Sequence, residues 1–112
     1  MIRVILESPL SAVTRAAIEF NKEYAKRAMR DSLKRGEAPY ASHLLFDQPG
    51  VLDELNANDR ILGMAAGQAW YSCAEKIVVY EDYGISPGMY AGIGVALKLG
   101  IPIEYRKIDE DV

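Results

Sequence analysis

The sequence contains very few of the side chains that metal sites, disulfides and nucleophilic catalysis use. Among 112 residues it has one histidine, His43, and one cysteine, Cys73. A lone cysteine cannot form an internal disulfide, and without clustered histidine and cysteine ligands the sequence predicts no metal site. We therefore expect neither a metal nor another cofactor.

Positive charge and long apolar runs are also scarce. Thirteen Lys and Arg residues against sixteen Asp and Glu give a formal charge of −3. This balance argues against binding to DNA, RNA or an anionic membrane, because each of these polymers or surfaces usually requires a basic face. No stretch of eighteen apolar residues occurs, and the start lacks the apolar core of a signal peptide. These features predict a soluble cytoplasmic protein.

The sequence does contain an alternation of strand and helix patterns. The apolar spacing predicts strands at 2–7, 38–45, 77–80 and 101–105 and helices at 11–36, 58–74 and 87–99. Cys73 is expected at a buried position of the second helix, and residues 46–56 form a long loop. The order predicts an α/β protein: a single-domain, Rossmann-like or flavodoxin-like three-layer sandwich, with a four-stranded, mainly parallel sheet and about three helices. The domain is expected to span residues 1–107, followed by an acidic tail at 108–112.

Acidic residues and the single histidine are the candidates for chemistry. In a parallel sheet the carboxyl ends of the strands lie on one edge, so the end of the first strand, His43 and Asp82 should converge there. His43 suits proton transfer at neutral pH, although a structural role fits it equally well. Glu37, just after the first helix, and Asp53, in the long loop, complete the set of candidate catalytic residues. That loop is also a candidate lid over the site.

The start of the last predicted helix is the best candidate for ligand binding. Ser86 is a good N-cap, Pro87 fits the first helical position, and Gly88 lets a ligand approach the backbone. A helix start of this kind suits a phosphate or a carboxylate, and an ordinary capped helix is the alternative. The candidate ligand-binding residues are Ser8, Pro9, Tyr83, Gly84, Ser86, Gly88 and Met89.

Several segments carry a resemblance to a known group of proteins. They are the first strand ending in Ser8-Pro9, the motif GEAPYASHLL at 36–45, the strand KIVVYED, and the motif GISPGM at 84–89. With these motifs the chain resembles the nucleoside 2-deoxyribosyltransferase-like superfamily, and within it small bacterial and phage-encoded domains. The resemblance implies a Rossmann-like sandwich that binds nucleosides or nucleoside monophosphates and cleaves or exchanges the N-glycosidic bond.

One position departs from what the resemblance implies. Enzymes of this superfamily use a glutamate near the start of the last helix as the nucleophile, and the shared ending Leu-Gly-x-Pro places that position at Gly92. A glycine has no side chain with which to attack. The departure leaves the expected ligand site at Ser86 and Gly88 in place.

Three hypotheses for function follow. The domain is an N-glycosidic hydrolase or transferase without the usual nucleophile, a non-catalytic sensor or sequestering protein for a nucleotide-derived ligand, or a subunit of an oligomeric assembly. The expected partner in the first two is a small nucleoside or nucleotide. A homo-oligomer is compatible with all three, because sites in the related enzymes are often completed by a neighbouring subunit.

Overall fold

The computed structural model describes residues 1–108, which form four strands and four α-helices. The elements in chain order are β1 (Ile2–Glu7), α1 (Arg15–Lys34), β2 (Glu37–Tyr40), α2 (Ser42–Phe46), α3 (Ala57–Gln68), a 3₁₀ turn (Tyr71–Cys73), β3 (Lys76–Tyr80), α4 (Pro87–Leu99) and β4 (Ile103–Arg106). No helix in this part of the chain combines the length and the apolar character that crossing a membrane requires. Four residues of the predicted acidic tail lie outside the described residues.

The strands form one sheet in the order β2-β1-β3-β4, and every neighbouring pair is parallel. The chain leaves β1 toward β2 on one side and leaves β3 toward β4 on the other. The boundary between β1 and β3 is therefore the point at which the direction of winding reverses. The predicted fold class, a Rossmann-like sandwich with a parallel four-stranded sheet, is confirmed.

Strand alternation sends side chains to two separate cores. One face of the sheet packs against α1, where Leu6 and Tyr80 share a buried cluster with Tyr24 and Ala28. The opposite face packs against α4, and the residues on that side include Ile5, Ile77, Val79, Met89, Ile93 and Ala96. Since Ile5 faces α4, the alternation also turns Glu7 toward that helix.

The structure corrects three predicted boundaries. The segment 38–45 is not a single strand, because β2 ends at Tyr40 and the carbonyl of Ala41 accepts hydrogen bonds from the N–H groups of Leu44 and Leu45 to begin α2. The first helix starts at Arg15 rather than at residue 11, with the Thr14 side chain accepting from the N–H of Ala17. The helix predicted at 58–74 ends at Gln68.

The shorter α3 changes the environment of the single cysteine. After Gln68 the chain makes a 3₁₀ turn over Tyr71–Cys73, which exposes Cys73 rather than burying it in a helix. Tyr71 takes the buried position of this turn, at 3% exposure. The prediction of a buried Cys73 was wrong because the helical spacing was extended across a break that the backbone makes at Ala69 and Trp70.

Candidate functional site

A cavity lies beyond the carboxyl end of β1, next to the reversal between β1 and β3. Its volume is about 100 Å³, smaller than the roughly 300 Å³ at the low end for small-molecule sites. Its walls come from the end of β1, α2, α3, the 3₁₀ turn, the start of α4, and the loops that follow β1 and α2. The polar or charged residues among its lining are Glu7, Ser8, Ser11, Ser42, His43, Asp47, Glu54, Arg60, Gln68, Tyr71 and Ser86. In open α/β sheets this location is the usual one for a ligand.

Glu7, the last residue of β1, places a carboxyl group against α4. A Cβ atom added to Gly92 would lie 2.5 Å from the Tyr71 hydroxyl and closer still to Glu7 Oε1. The absent side chain of Gly92 therefore leaves the volume that the carboxyl occupies. Among residues 1–108 no hydrogen bond or ion pair reaches this carboxyl, and burial raises the pKa of Glu7 to about 8. Sequence reasoning placed Glu7 at the ligand edge but not among the candidate catalytic residues.

Ser8 and His43 form a hydrogen-bonded pair beside Glu7. The distance from Ser8 Oγ to His43 Nε2 is 2.7 Å, and Ser8 is 6% exposed. Burial, assisted by the nearby positive charge of Lys22, lowers the pKa of His43 to about 4. The imidazole is therefore neutral at physiological pH and can accept a proton. The structure brings both predicted residues to the cavity.

The start of α4 is capped more completely than the sequence indicates. Ser86 Oγ accepts from the N–H of Met89 at 3.3 Å, and Met89 Sδ accepts from the N–H of Ser86 at the same distance. Pro87 has no N–H to offer. In the first turn this leaves the Gly88 N–H, which no described residue accepts. Apart from its chain neighbours and the α4 backbone, no described atom lies within 4 Å of the position a Gly88 side chain would take. The helix start thus offers an anion one backbone donor and the Ser86 hydroxyl.

Arg60, in the first half of α3, is a cavity residue that sequence reasoning missed. It lines the cavity, and no ion pair to its guanidinium occurs within residues 1–108. A guanidinium without a carboxylate partner is suited to bind a phosphate or carboxylate of a ligand. The sequence carries no local signal for this role, because Arg60 reaches the cavity only through the way α3 lies across the sheet edge.

Two of the predicted catalytic acids lie outside the cavity. Asp82 accepts a hydrogen bond from the Tyr24 hydroxyl at 2.5 Å and contacts the N–H of Ile108, on the α1 side of the sheet. Asp53 pairs with Arg15 at 2.5 Å and lines a separate surface cavity of about 450 Å³ between α1 and the loop. Each has a structural partner in place of a ligand.

Glu37, the third predicted acid, lies at the amino end of the edge strand β2, away from the cavity. It begins β2, and both of its carboxylate oxygens accept from the Arg106 guanidinium at 2.8 Å. Burial alone would raise the pKa of Glu37, but hydrogen bonds from Arg106, Ser32 and Lys76 outweigh this effect and lower it to about 2. Glu37 is therefore an ion-paired structural residue, and the structure removes it from the candidate site.

The remaining predicted ligand residues divide in the same way. Ser86, Gly88 and Met89 line the cavity, whereas Pro9, Tyr83 and Gly84 do not. The Tyr83 ring packs edge-on against Tyr24 at 4.8 Å, and Gly84 takes a turn conformation with φ of 86°. The loop after β3 thus serves the α1 face rather than the cavity.

The long loop between α2 and α3 supplies part of the outer wall. Asp47, Leu52 and Glu54 line the cavity from this side. Asp47 is held by Lys22 and Arg15 at 3.2 and 3.0 Å, and these contacts fix the base of the loop to α1. Over residues 1–108, no three His, Cys, Asp or Glu side chains come together as a possible metal site.

The fold and the position of the cavity define an open, all-parallel α/β domain of the Rossmann-like class. The chain belongs to the family described as "Domain of unknown function (DUF7768)", whose model matches residues 2–106. No curated protein matches it.

A similar fold occurs in the 2-deoxyribosyltransferase of the psychrotolerant bacterium Bacillus psychrosaccharolyticus. The TM-score is 0.66 with 13% sequence identity, and the match covers 98% of this chain and 75% of that enzyme. That enzyme is described as a biocatalyst for the synthesis of antiviral and antitumoral nucleosides. At this identity the similarity confirms the fold-level part of the predicted resemblance.

Proposed function

We propose that the domain binds a nucleoside monophosphate or a closely related nucleotide in the β1 cavity and hydrolyses its N-glycosidic bond. The observation that carries this proposal is the content of the cavity. It combines a carboxyl and a neutral imidazole, each able to exchange a proton with a ligand, with the guanidinium of Arg60, which forms no ion pair with any described residue. The fold shared with a 2-deoxyribosyltransferase supports a nucleoside-type ligand.

The phosphate is assigned to Arg60, Ser86 and Gly88. The guanidinium supplies charge, and the helix start supplies the Ser86 hydroxyl and the free Gly88 N–H. The volume of about 100 Å³ accommodates only part of such a ligand. The outer wall, which includes residues of the 46–56 loop, must therefore move outward when the whole ligand enters.

A thermal-shift screen of nucleosides and their monophosphates, followed by chromatography for free base, tests the proposal. A ligand that binds the folded state raises the melting temperature, and hydrolysis releases the base. Arg60→Gln should weaken a monophosphate by at least about tenfold and leave the matching nucleoside nearly unaffected, since a hydrogen bond to a charged group contributes roughly 1.5–3 kcal/mol. Arg3→Gln, at an exposed pair with Glu75, is the matched control.

Ser86→Ala tests the same assignment at the helix start. It should weaken the binding of a monophosphate more than that of the dephosphorylated compound. Because both ligands are measured on the same variant, any structural effect of losing the helix cap applies to both. Equal weakening of the two ligands, or no shift with any compound, would contradict the phosphate assignment.

A non-catalytic binding protein is the second candidate. Gly92 favours it, because no side chain stands at the position where the resemblance places a nucleophile. The same screen separates the two: a shift in melting temperature without release of base supports the binding protein. A homo-oligomer stays a prediction. Its support is the pair of exposed apolar residues Ile61 and Leu62 on α3, and a sizing measurement tests it.

A further inference from the structure

The Glu7 carboxyl, half-buried at the wall of the cavity, differs from the buried carboxyl of Glu37. Glu37 is neutralised by Arg106, Lys76 and Ser32, whereas Glu7 has no donor or cation partner among the described residues. Burying a carboxyl without partners is unfavourable, and it is more so when the group is charged. A group maintained in this state at the wall of a cavity is a candidate for chemistry rather than for stability.

Two other positions are arranged around this carboxyl. Gly92, buried on α4, provides the space for Oε1, and the buried Tyr71 ring closes the same volume from the 3₁₀ turn. Any side chain at residue 92 would displace the carboxyl or the Tyr71 hydroxyl. The environment of Glu7 is therefore built by β1, α4 and the turn together, and it opens on the cavity that also contains His43.

We propose that Glu7 is the general acid of the cavity and gives its proton to the departing base nitrogen when the N-glycosidic bond of a bound nucleotide is cleaved. This inference rests on the proposed function. The bond between the anomeric carbon and the base nitrogen breaks with its electron pair going to nitrogen, which takes the proton from Glu7. Water forms the new bond to the anomeric carbon, and its released proton passes to the neutral His43 imidazole and from there, through solvent, back to Glu7. The sum is hydrolysis to free base and sugar phosphate.

The acid and base properties of the two groups agree with these roles. Burial raises the pKa of Glu7 to about 8, and burial with the charge of Lys22 lowers the pKa of His43 to about 4. Between these values the carboxyl holds its proton while the imidazole lacks one. The opposite displacement of two titratable groups in one site is typical of an acid and base pair.

The test compares Glu7→Gln with the wild-type protein on two kinds of substrate. The first probes are deoxyadenosine and adenosine monophosphates, whose base must be protonated to leave. The second are the nitrophenyl ribosides and deoxyribosides, whose leaving group needs no proton. Glu7→Gln should bind the monophosphates within about threefold of the wild-type affinity. It should release base at least about 100-fold more slowly, while nitrophenol release falls by less than about fivefold.

The surface variant Glu75→Gln is the control and should release base at the wild-type rate. Equal losses on both kinds of substrate would overturn the general-acid role, because they indicate a nucleophile instead. Loss of monophosphate binding in Glu7→Gln would overturn it as well, because Glu7 would then be a binding group. Wild-type protein that binds the monophosphates but releases no base refutes both the role of Glu7 and the proposed hydrolysis, and leaves ligand binding standing. Absence of binding refutes the proposed function as a whole, whereas base release that Glu7→Gln does not slow refutes the role of Glu7 alone.

Discussion

The stability of the domain should fall as the pH rises above neutrality, because of Glu7. Its pKa is about 8 in the folded protein and near 4.5 when the carboxyl is solvated, so the folded state binds more protons between these values. Stability therefore decreases with rising pH across that window. His43 acts in the opposite sense. Its pKa falls from 6.5 to about 4 on folding, so stability rises with pH between 4 and 6.5.

The changes of stability with pH that Glu7 and His43 cause are similar in size and opposite in sign, so they cancel in the pH range that they share. Each pKa unit corresponds to about 1.4 kcal/mol, which gives a plateau of highest stability between pH 4.5 and 6.5. From pH 6.5 to 8 the effect of Glu7 dominates and flattens as the pH reaches its folded pKa, so the free energy of unfolding should fall by roughly 1–2 kcal/mol. For a domain of this size the melting temperature would drop by roughly 4–8 °C.

Glu7→Gln removes the titrating group while keeping the shape of the side chain. Thermal and urea unfolding, followed by circular dichroism at half-unit steps from pH 5 to 8.5, should show that the decline above pH 6.5 disappears in this variant. Glu104→Gln is the control and should keep the wild-type decline, since the pKa of Glu104 is lowered, mainly by its hydrogen bond with Lys76. A flat wild-type profile, or a Glu7→Gln profile that still declines, would refute the reasoning.

Two further predictions concern packing and ion pairing. Gly92→Ala should be about 1–3 kcal/mol less stable than Gly94→Ala in urea unfolding, because the first methyl group meets the Glu7 carboxyl and the Tyr71 hydroxyl and the second meets open space; equal stabilities would show that the site can relax. Arg106→Leu should lower the free energy of unfolding by roughly 3–5 kcal/mol, because it removes a bidentate partner from the buried Glu37, whereas Arg3→Leu at an exposed pair should change it by less than about 1 kcal/mol.

Local patterns predicted the fold class and the order of the four strands and the three longer helices, but not α2. The apolar run of β1, the helical spacing of α1 and the capped, glycine-ended α4 each involve residues within a few positions of one another, so propensity and periodicity are enough to identify them. The boundary near Tyr40 escaped prediction because an apolar segment of eight residues is compatible with a strand followed by a helix as well as with one long strand.

The candidate site was predictable only in part. The expectation that the carboxyl ends of parallel strands meet at one edge correctly placed Ser8 near His43, and the N-cap pattern identified Ser86. The same expectation did not hold for Asp82, which lies away from the cavity because the loop after β3 turns toward Tyr24 on the α1 face. Glu37 was misassigned because its partner, Arg106, comes from the last strand and nothing near Glu37 in the sequence announces it.

The sequence by itself determined a parallel α/β domain, a helix start suited to an anion, and a glycine at position 92. Tertiary structure decided what that glycine does and which acid belongs to the cavity. Glu7 and Gly92 meet only after α4 packs on the face of the sheet toward which Glu7 points. Arg60 lines the same cavity only because of where α3 lies. The physical reason is that periodicity and capping depend on neighbours along the chain, whereas burial, pKa and ion pairing depend on which distant residues surround a group in space.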